Sequence, residues 1–210
     1  MIQIDRLKVY ESHGYRFKNF VCLSDDEKQM ILKWRNHEKV RNMMVNKEII
    51  PLNKHLEFIK SLNDRDDCFY WLVKDPAGNN LGVLDISHFN TIKDQGEIGF
   101  YLNPSEVGKG FYFMIECDYF VFSQLKLKNN IVTVNARNRD ILLFHKFIGE
   151  SFEIVEKIGD ETFFINRHSG GDYLIQHYGE MSIINYAKFV KNNRHNKELF
   201  IIDNIKYGIS

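Results

Sequence analysis

The stretch Glu97-Ile-Gly-Phe-Tyr-Leu-Asn-Pro-Ser-Glu-Val-Gly-Lys-Gly-Phe111 constrains the fold of this chain more than any other. It reads as a strand over Glu97–Leu102, a stop at Asn103-Pro104, a loop carrying Gly108 and Gly110, and the start of an apolar helix. Such a loop lets successive backbone N–H groups converge, and a helix N-terminus adds partial positive charge. Together they suit a diphosphate, with Lys109 as a further cation. Two glycines alone fit a plain turn with a solvated Lys better than a phosphate site, so the order of elements around them has to decide.

That order is mixed. Residues 1–23 form an opening strand region, and Ser24-Asp-Asp-Glu27 has the spacing of a capping box. The helix it opens carries Met30, Ile31 and Trp34 on an apolar face, which makes Trp34 a core residue, and it ends near Asn36. Helical segments follow over 40–44 and 53–62. Strands are expected over 69–74 and 81–89 about the turn Asp75-Pro-Ala-Gly-Asn-Asn80, then over 97–102. A buried helix over 111–124, a strand over 131–135 and a helix over 140–148 come next. Strands over 152–158 and 173–178, a helix over 182–192 and a last apolar segment over 199–205 complete the chain. The fold class is mixed α/β (α+β) around one largely antiparallel sheet.

Composition narrows the partners. Twenty-eight Lys plus Arg balance twenty-eight Asp plus Glu, so there is no basic excess for nucleic acid or a membrane surface. Seventeen Phe and ten Tyr can build a large core and line a pocket. Three Cys with no CxxC pair, and eight His without HxH or HxxxH spacing, give no metal signature and no disulfide framework. With no signal-type N-terminus and no span-length apolar run, the expectation is a cytoplasmic protein.

Two motifs carry a resemblance. Ser105-Glu-Val-Gly-Lys-Gly110 is similar to the Gln/Arg-x-x-Gly-x-Gly/Ala loop of the GCN5-related N-acetyltransferase superfamily, with Ser105 in place of Gln or Arg. Asn138-Arg-Asp-Ile-Leu-Leu-Phe-His-Lys-Phe147 resembles its Asn-x-x-Ala-Ile-x-Leu-Tyr-Glu-Lys segment, aligned with one residue fewer after the Asn, so that Phe144 takes the tyrosine position. Trp34-Arg-Asn-His37, Met43-Met44 and His55-Leu-Glu-Phe-Ile59 look like the branch that acetylates UDP-4-amino-4,6-dideoxy sugars in pseudaminic acid biosynthesis. The resemblance covers residues 20–180. It implies a central, mostly antiparallel twisted sheet flanked by helices. The domain is expected over 1–180; residues 181–210, which the resemblance does not cover, are expected as a C-terminal extension packed on it and are a candidate homodimer contact.

The resemblance also implies an acetyl-coenzyme A co-substrate, no metal, and direct attack of an amine on the thioester. Cofactor contacts would fall on Tyr101, Leu102, Gly108, Lys109, Gly110, Phe111, Asn138 and Phe144, with the oxyanion donor near Tyr101–Leu102. Acceptor contacts would fall on Arg35, Met44, His55, Phe58 and Tyr101. Glu97 is the candidate base and Asp85 the runner-up; the fifth-strand glutamate described for the sugar branch has no equivalent in Val132-Thr-Val134. Phe144 has no hydroxyl to protonate the thiolate. Either the thiolate leaves unassisted, or His145 or a water substitutes, or the protein binds acetyl-coenzyme A without efficient catalysis. Besides a nucleotide-linked amino sugar, the acceptor alternatives are a protein N-terminal or side-chain amine; a weak acyl-coenzyme A-binding module is the non-enzyme alternative.

Overall fold

The computed structural model describes residues 4–90, 92–158, 161–166, 171–196, 201–202 and 205–206. Strands β1 (Tyr10–Ser12) and β2 (Tyr15–Asn19) meet at His13-Gly14, both at positive φ (47° and 83°), as a two-residue hairpin turn requires. Ser24 and Glu27 close the expected capping box on α1 (Asp25–Asn36), and α2 (Glu38–Arg41) and α3 (Leu52–Ser61) follow. Then come β3 (Phe69–Lys74), β4 (Asn80–Asn90), β5 (Gln95–Leu102) and α4 (Gly110–Tyr119), which runs on through a wider turn to Gln124. The second half contains β6 (Asn129–Asn135), α5 (Arg139–Phe147), β7 (Ile154–Ile158), β8 (Glu161–Asn166), α6 (Gly171–Gln176) and α7 (Ile183–Asn193). A short hairpin of β9 (Ile201–Ile202) and β10 (Ile205–Lys206) falls in the expected last apolar segment, whose residues 199–200 and 203–204 lie outside the described residues.

Eight strands form one sheet in the order β1-β2-β3-β4-β5-β6-β8-β7, and every neighbouring pair except β5–β6 is antiparallel. The parallel pair is short: Gln95, Gly96 and Glu97 register with Asn129, Asn130 and Ile131, and the strands then part. Beyond that point β5 stays on β4 as far as Gly82↔Leu102, while β6 stays on β8. A V-shaped opening results, with Ile98–Leu102 along one side and Val132–Asn135 along the other.

Side-chain alternation gives the sheet two faces. Phe17, Trp71, Leu84 and Ile86 pack under Phe113 and Phe120 of the α4 stretch, and Leu72 and Val83 pack under Ile31 and Trp34 of α1, Ile59 of α3 and Leu62 just after it. Trp34 is thus a core residue, as expected. A third cluster joins Val132 and Val134 to Leu142, Leu143, Phe152 and Phe164. Two elements depart from the sequence reading. Residues 173–178, expected as a strand, belong to α6 and the turn after it. Only Leu174 of the Tyr-Leu-Ile run is buried, and His177 Nδ1 donates to the Tyr173 carbonyl four residues back, a helical spacing (2.9 Å). Strand β8 was not expected: Phe163-Phe164-Ile165 is buried throughout and so shows no period-two alternation. No helix among the described residues is long and apolar enough to cross a membrane.

Candidate active site

The loop between β5 and α4 presents a row of free amides. Asn103 folds it: its Oδ1 accepts from Ser105 N–H (3.1 Å) and its carbonyl from Glu106 N–H (2.9 Å). Gly108 then turns the chain at φ +82°, and Gly110 lets α4 start hard against β5, where a Cβ would stand 3.3 Å from Leu102 Cδ1. Lys109 caps α4 without a side-chain bond, the first turn holds no acidic residue, and the first helical bond is Phe113 N–H to the Lys109 carbonyl (3.2 Å). Among the described residues no acceptor faces the N–H groups of Gly108, Lys109, Gly110, Phe111 and Tyr112. The Lys109 ammonium is already matched, by Glu106 Oε2 (2.8 Å) and Asp75 Oδ2 (3.1 Å), so the cradle acts through its backbone.

The opening between β5 and β6 begins at Asn130, whose buried Oδ1 accepts from Ile98 N–H (3.1 Å). Asn103 N–H points the other way, to the Leu81 carbonyl on β4 (2.8 Å). Strand alternation therefore turns the amides of Phe100 and Leu102 toward the opening and that of Tyr101 away from it. Asn138, just before α5, is half-buried and makes no side-chain cap on that helix.

On the sheet face under α1 and α3, cross-strand register lines up Tyr70 with Asp85 and Gly99, and Leu72 with Val83 and Tyr101. Gly99 makes room for a carboxylate: a Cβ there would lie 2.8 Å from Asp85 Oδ1. Burial, and then the charge of Glu97, push the Asp85 carboxyl up to about 7. Tyr101 and Tyr70 are raised by burial first and then by the Asp85 charge, so the three groups share one environment. Phe58 closes that side, edge-on to Tyr70 at 5.1 Å between ring centres. Glu97 lies outward, 3.2 Å from the exposed His88.

Arg35, from α1, reaches the same place; its charge is felt by Tyr101. Its Nη2 donates to the Asn46 carbonyl (2.8 Å), and Arg41 Nη1 donates to the Lys47 carbonyl (2.9 Å). Arg35 Nη1 and Arg41 Nε are buried without a partner, and no carboxylate among the described residues pairs with either guanidinium. Met44 is half-buried at the end of that helical turn.

Three of the expected contact residues are buried. His55 is 6% exposed, and its Nε2 donates to the Lys28 carbonyl (3.0 Å), stitching α3 to α1 instead of lining an open pocket. Phe144 is fully buried against Phe111 and Tyr186, and the Phe111 side chain is buried with it, so only the Phe111 backbone faces the cradle. The segment around Phe144 also admits a second alignment. Helix α5 starts directly after Asn138, so the seven-residue step from Asn to Tyr in the family pattern lands on His145 without a gap. His145 is buried 2.7 Å from Glu150 Oε2. Burial alone would lower its pKa, but Glu150 and then Asp118 outweigh that and raise it. Tyr70 and the Asp118–Glu150 surroundings of His145 were missed in the sequence; only three-dimensional proximity assembles them.

No family model matches the chain. A curated acetyltransferase, PseH of Campylobacter jejuni (strain 81-176), is 31% identical over 131 residues, 62% of this chain and 81% of the relative. PseH of strain NCTC 11168 is 33% identical over 112 residues, 53% of this chain and 69% of that protein. The crystal structure of C. jejuni PseH in complex with acetyl coenzyme A has TM-score 0.56 and 24% identity, covering 74% of this chain and 99% of that one. Vibrio cholerae spermidine N-acetyltransferase with CoA and spermine shares the fold, at TM-score 0.63 and 16% identity over 78% of this chain and 99% of that one. The free amides before α4, the opening between β5 and β6 and this similarity agree: the chain belongs to the PseH-like acetyltransferases of the GCN5-related superfamily, acetyl-coenzyme A-dependent N-acetyltransferases.

Proposed function

We propose that this N-acetyltransferase acylates the amino group of a nucleotide-linked amino-deoxy sugar. The observation that carries the reading is Arg35: a guanidinium without a carboxylate partner, with one nitrogen unsatisfied, beside Tyr101 at the sheet face and next to Arg41. A planar fork of this kind suits a phosphate oxygen pair, which a nucleotide sugar has and a peptide amine lacks. The resemblance of Trp34–His37, Met43-Met44 and His55–Ile59 to the sugar-acetylating branch supports the same acceptor class. The half-buried Phe58 and Met44 give the sugar apolar surface.

Acetyl-coenzyme A, when bound, supplies the acetyl thioester. The amides of residues 108–112 would hold its diphosphate, and Asn138 at the start of α5 is the further polar group that the family resemblance assigns to the co-substrate. Phe100 and Leu102 point N–H donors into the opening, where negative charge develops on the carbonyl oxygen. Asp85 is the base in this reading, in preference to Glu97. A carboxyl near 7 matches the working pH, and Gly99 leaves it room to meet an incoming ammonium or amine. His145 is buried, with its pKa raised by Glu150 and then Asp118 against its own burial, so the thiolate leaves without a side-chain acid in this reading. The proton lost by the amine goes to Asp85, and the thiolate leaves as such or takes a proton from water.

Titration with UDP tests the acceptor class. Wild type should bind UDP, and Arg35→Gln should weaken it by roughly tenfold or more, as loss of a charged hydrogen bond does. Coenzyme A affinity should not change. Equal UDP binding by wild type and Arg35→Gln would sink the nucleotide-sugar reading.

A further inference from the structure

Helix α7 lies beyond the residues on which the family resemblance rests, yet one of its side chains touches both helices that border the cofactor site. Tyr186 stacks on Phe111, the second residue of α4, at 5.0 Å and 21° between ring planes. It also packs edge-on to Phe147 (5.3 Å) and Phe144 (6.3 Å) of α5. Its hydroxyl donates to the Asp140 carbonyl in the first turn of α5 (3.1 Å). Phe189, one turn on, packs against Phe147 at 5.6 Å and holds α7 in place, and Ser182 caps the helix by accepting from Asn185 N–H.

We propose that Tyr186 is a positioning residue for acetyl-coenzyme A: it clamps the first turn of α4 to the first turn of α5 and so fixes the free amides of 108–112 relative to Asn138. The first turn of α4 needs such a brace. It has no side-chain cap and no acidic residue, and its amides are unbonded, so nothing within the helix holds it in the binding-ready geometry. The first turn of α5 is likewise without a side-chain cap. A ligand that contacts both turns must otherwise order them itself, which costs affinity. The stack supplies orientation across α4, and the hydroxyl supplies registry along α5. An apolar ring would provide only the first.

The test uses the full chain as Tyr186→Phe and Tyr186→Ala, assayed at least 15 °C below each variant's unfolding midpoint, with coenzyme A itself as the titrant. Tyr186→Ala should raise the coenzyme A Kd and the acetyl-coenzyme A KM roughly tenfold, as the ordering cost passes to the ligand. Saturating kcat and the acceptor KM should stay within about twofold of wild type. Tyr186→Phe, which keeps the stack and loses one hydrogen bond, should fall in between. A lowered midpoint with unchanged coenzyme A affinity in both variants would make Tyr186 a packing residue only and overturn the proposal. So would a change confined to kcat or to the acceptor KM. Should Tyr186→Ala fail to fold, Tyr186→Phe decides alone: unchanged coenzyme A affinity there removes the registry role of the hydroxyl. None of these outcomes depends on which acceptor the enzyme uses.

Discussion

In the proposed mechanism Asp85 and Gly99 form the smallest unit on which catalysis depends. The carboxyl sits over a residue without a side chain, and burial together with Glu97 brings its pKa to about 7. Turnover under kcat/KM conditions should therefore rise with pH through about 7, as the base loses its proton. Asp85→Asn should lower kcat about 10²–10⁴-fold and flatten that limb of the profile. Glu97→Gln should leave turnover largely intact and move the limb to lower pH, because one nearby negative charge is gone. A Glu97→Gln loss as large as that of Asp85→Asn would assign the base to Glu97. Gly99→Ala should reduce kcat roughly tenfold by displacing the carboxylate while the coenzyme A affinity holds. At this scale sequence and structure diverge most. Glu97 and Asp85 are both strand carboxylates, and nothing in their spacing says which one is desolvated. His55 similarly has the pattern of a ligand and the environment of a core histidine.

Among the elements, the forked pair β5–β6 and the turn into α4 matter most. Asn130→Ala should cost about 1–3 kcal/mol, since it strands the Ile98 N–H at the base of the fork. Gly108→Ala should cost about 1 kcal/mol from its positive φ alone, because a Cβ there would meet no other atom within 4 Å. Denaturant titration of both variants measures these costs. Most elements were legible because their signals are local: the Ser24 box, the 75–80 turn, and the strand-glycine-helix order of residues 97–111. What was not legible depends on distant partners. Strand β8 has no alternation because both its faces are covered, and α6 takes its form from Leu174 and from Gly171, which sits so close to Phe122 that a Cβ would lie 2.6 Å from the ring. The fork itself is a matter of where hydrogen-bonded pairing stops, and no residue pattern marks that.

For the molecule as a whole, buried ionisable groups set how stability varies with pH. Asp85 is raised to about 7 and Asp118 to about 8, each chiefly by burial, and His145 is raised by Glu150 and Asp118 against its own burial. In all three the folded chain holds a proton that the unfolded chain has already released. Stability is therefore greatest below the unfolded values and falls as pH rises through about 4 to 8, the window of the two carboxyls. Asp118→Asn should change the unfolding midpoint little at pH 4 and raise it relative to wild type increasingly as pH rises, most at pH 8.5. The opposite ordering would mean that Asp118 is ionised in the native core.

The acceptor is the most direct test of the function assigned here. Thiol release from acetyl-coenzyme A should be followed with a UDP-4-amino-4,6-dideoxy sugar, a peptide with a free N-terminal amine, and spermidine, each at matched concentration. The sugar nucleotide should give a kcat/KM far above the other two, with its KM raised in Arg35→Gln and the acetyl-coenzyme A KM unmoved. Equal or faster release with the peptide or the polyamine, insensitive to Arg35, would contradict it.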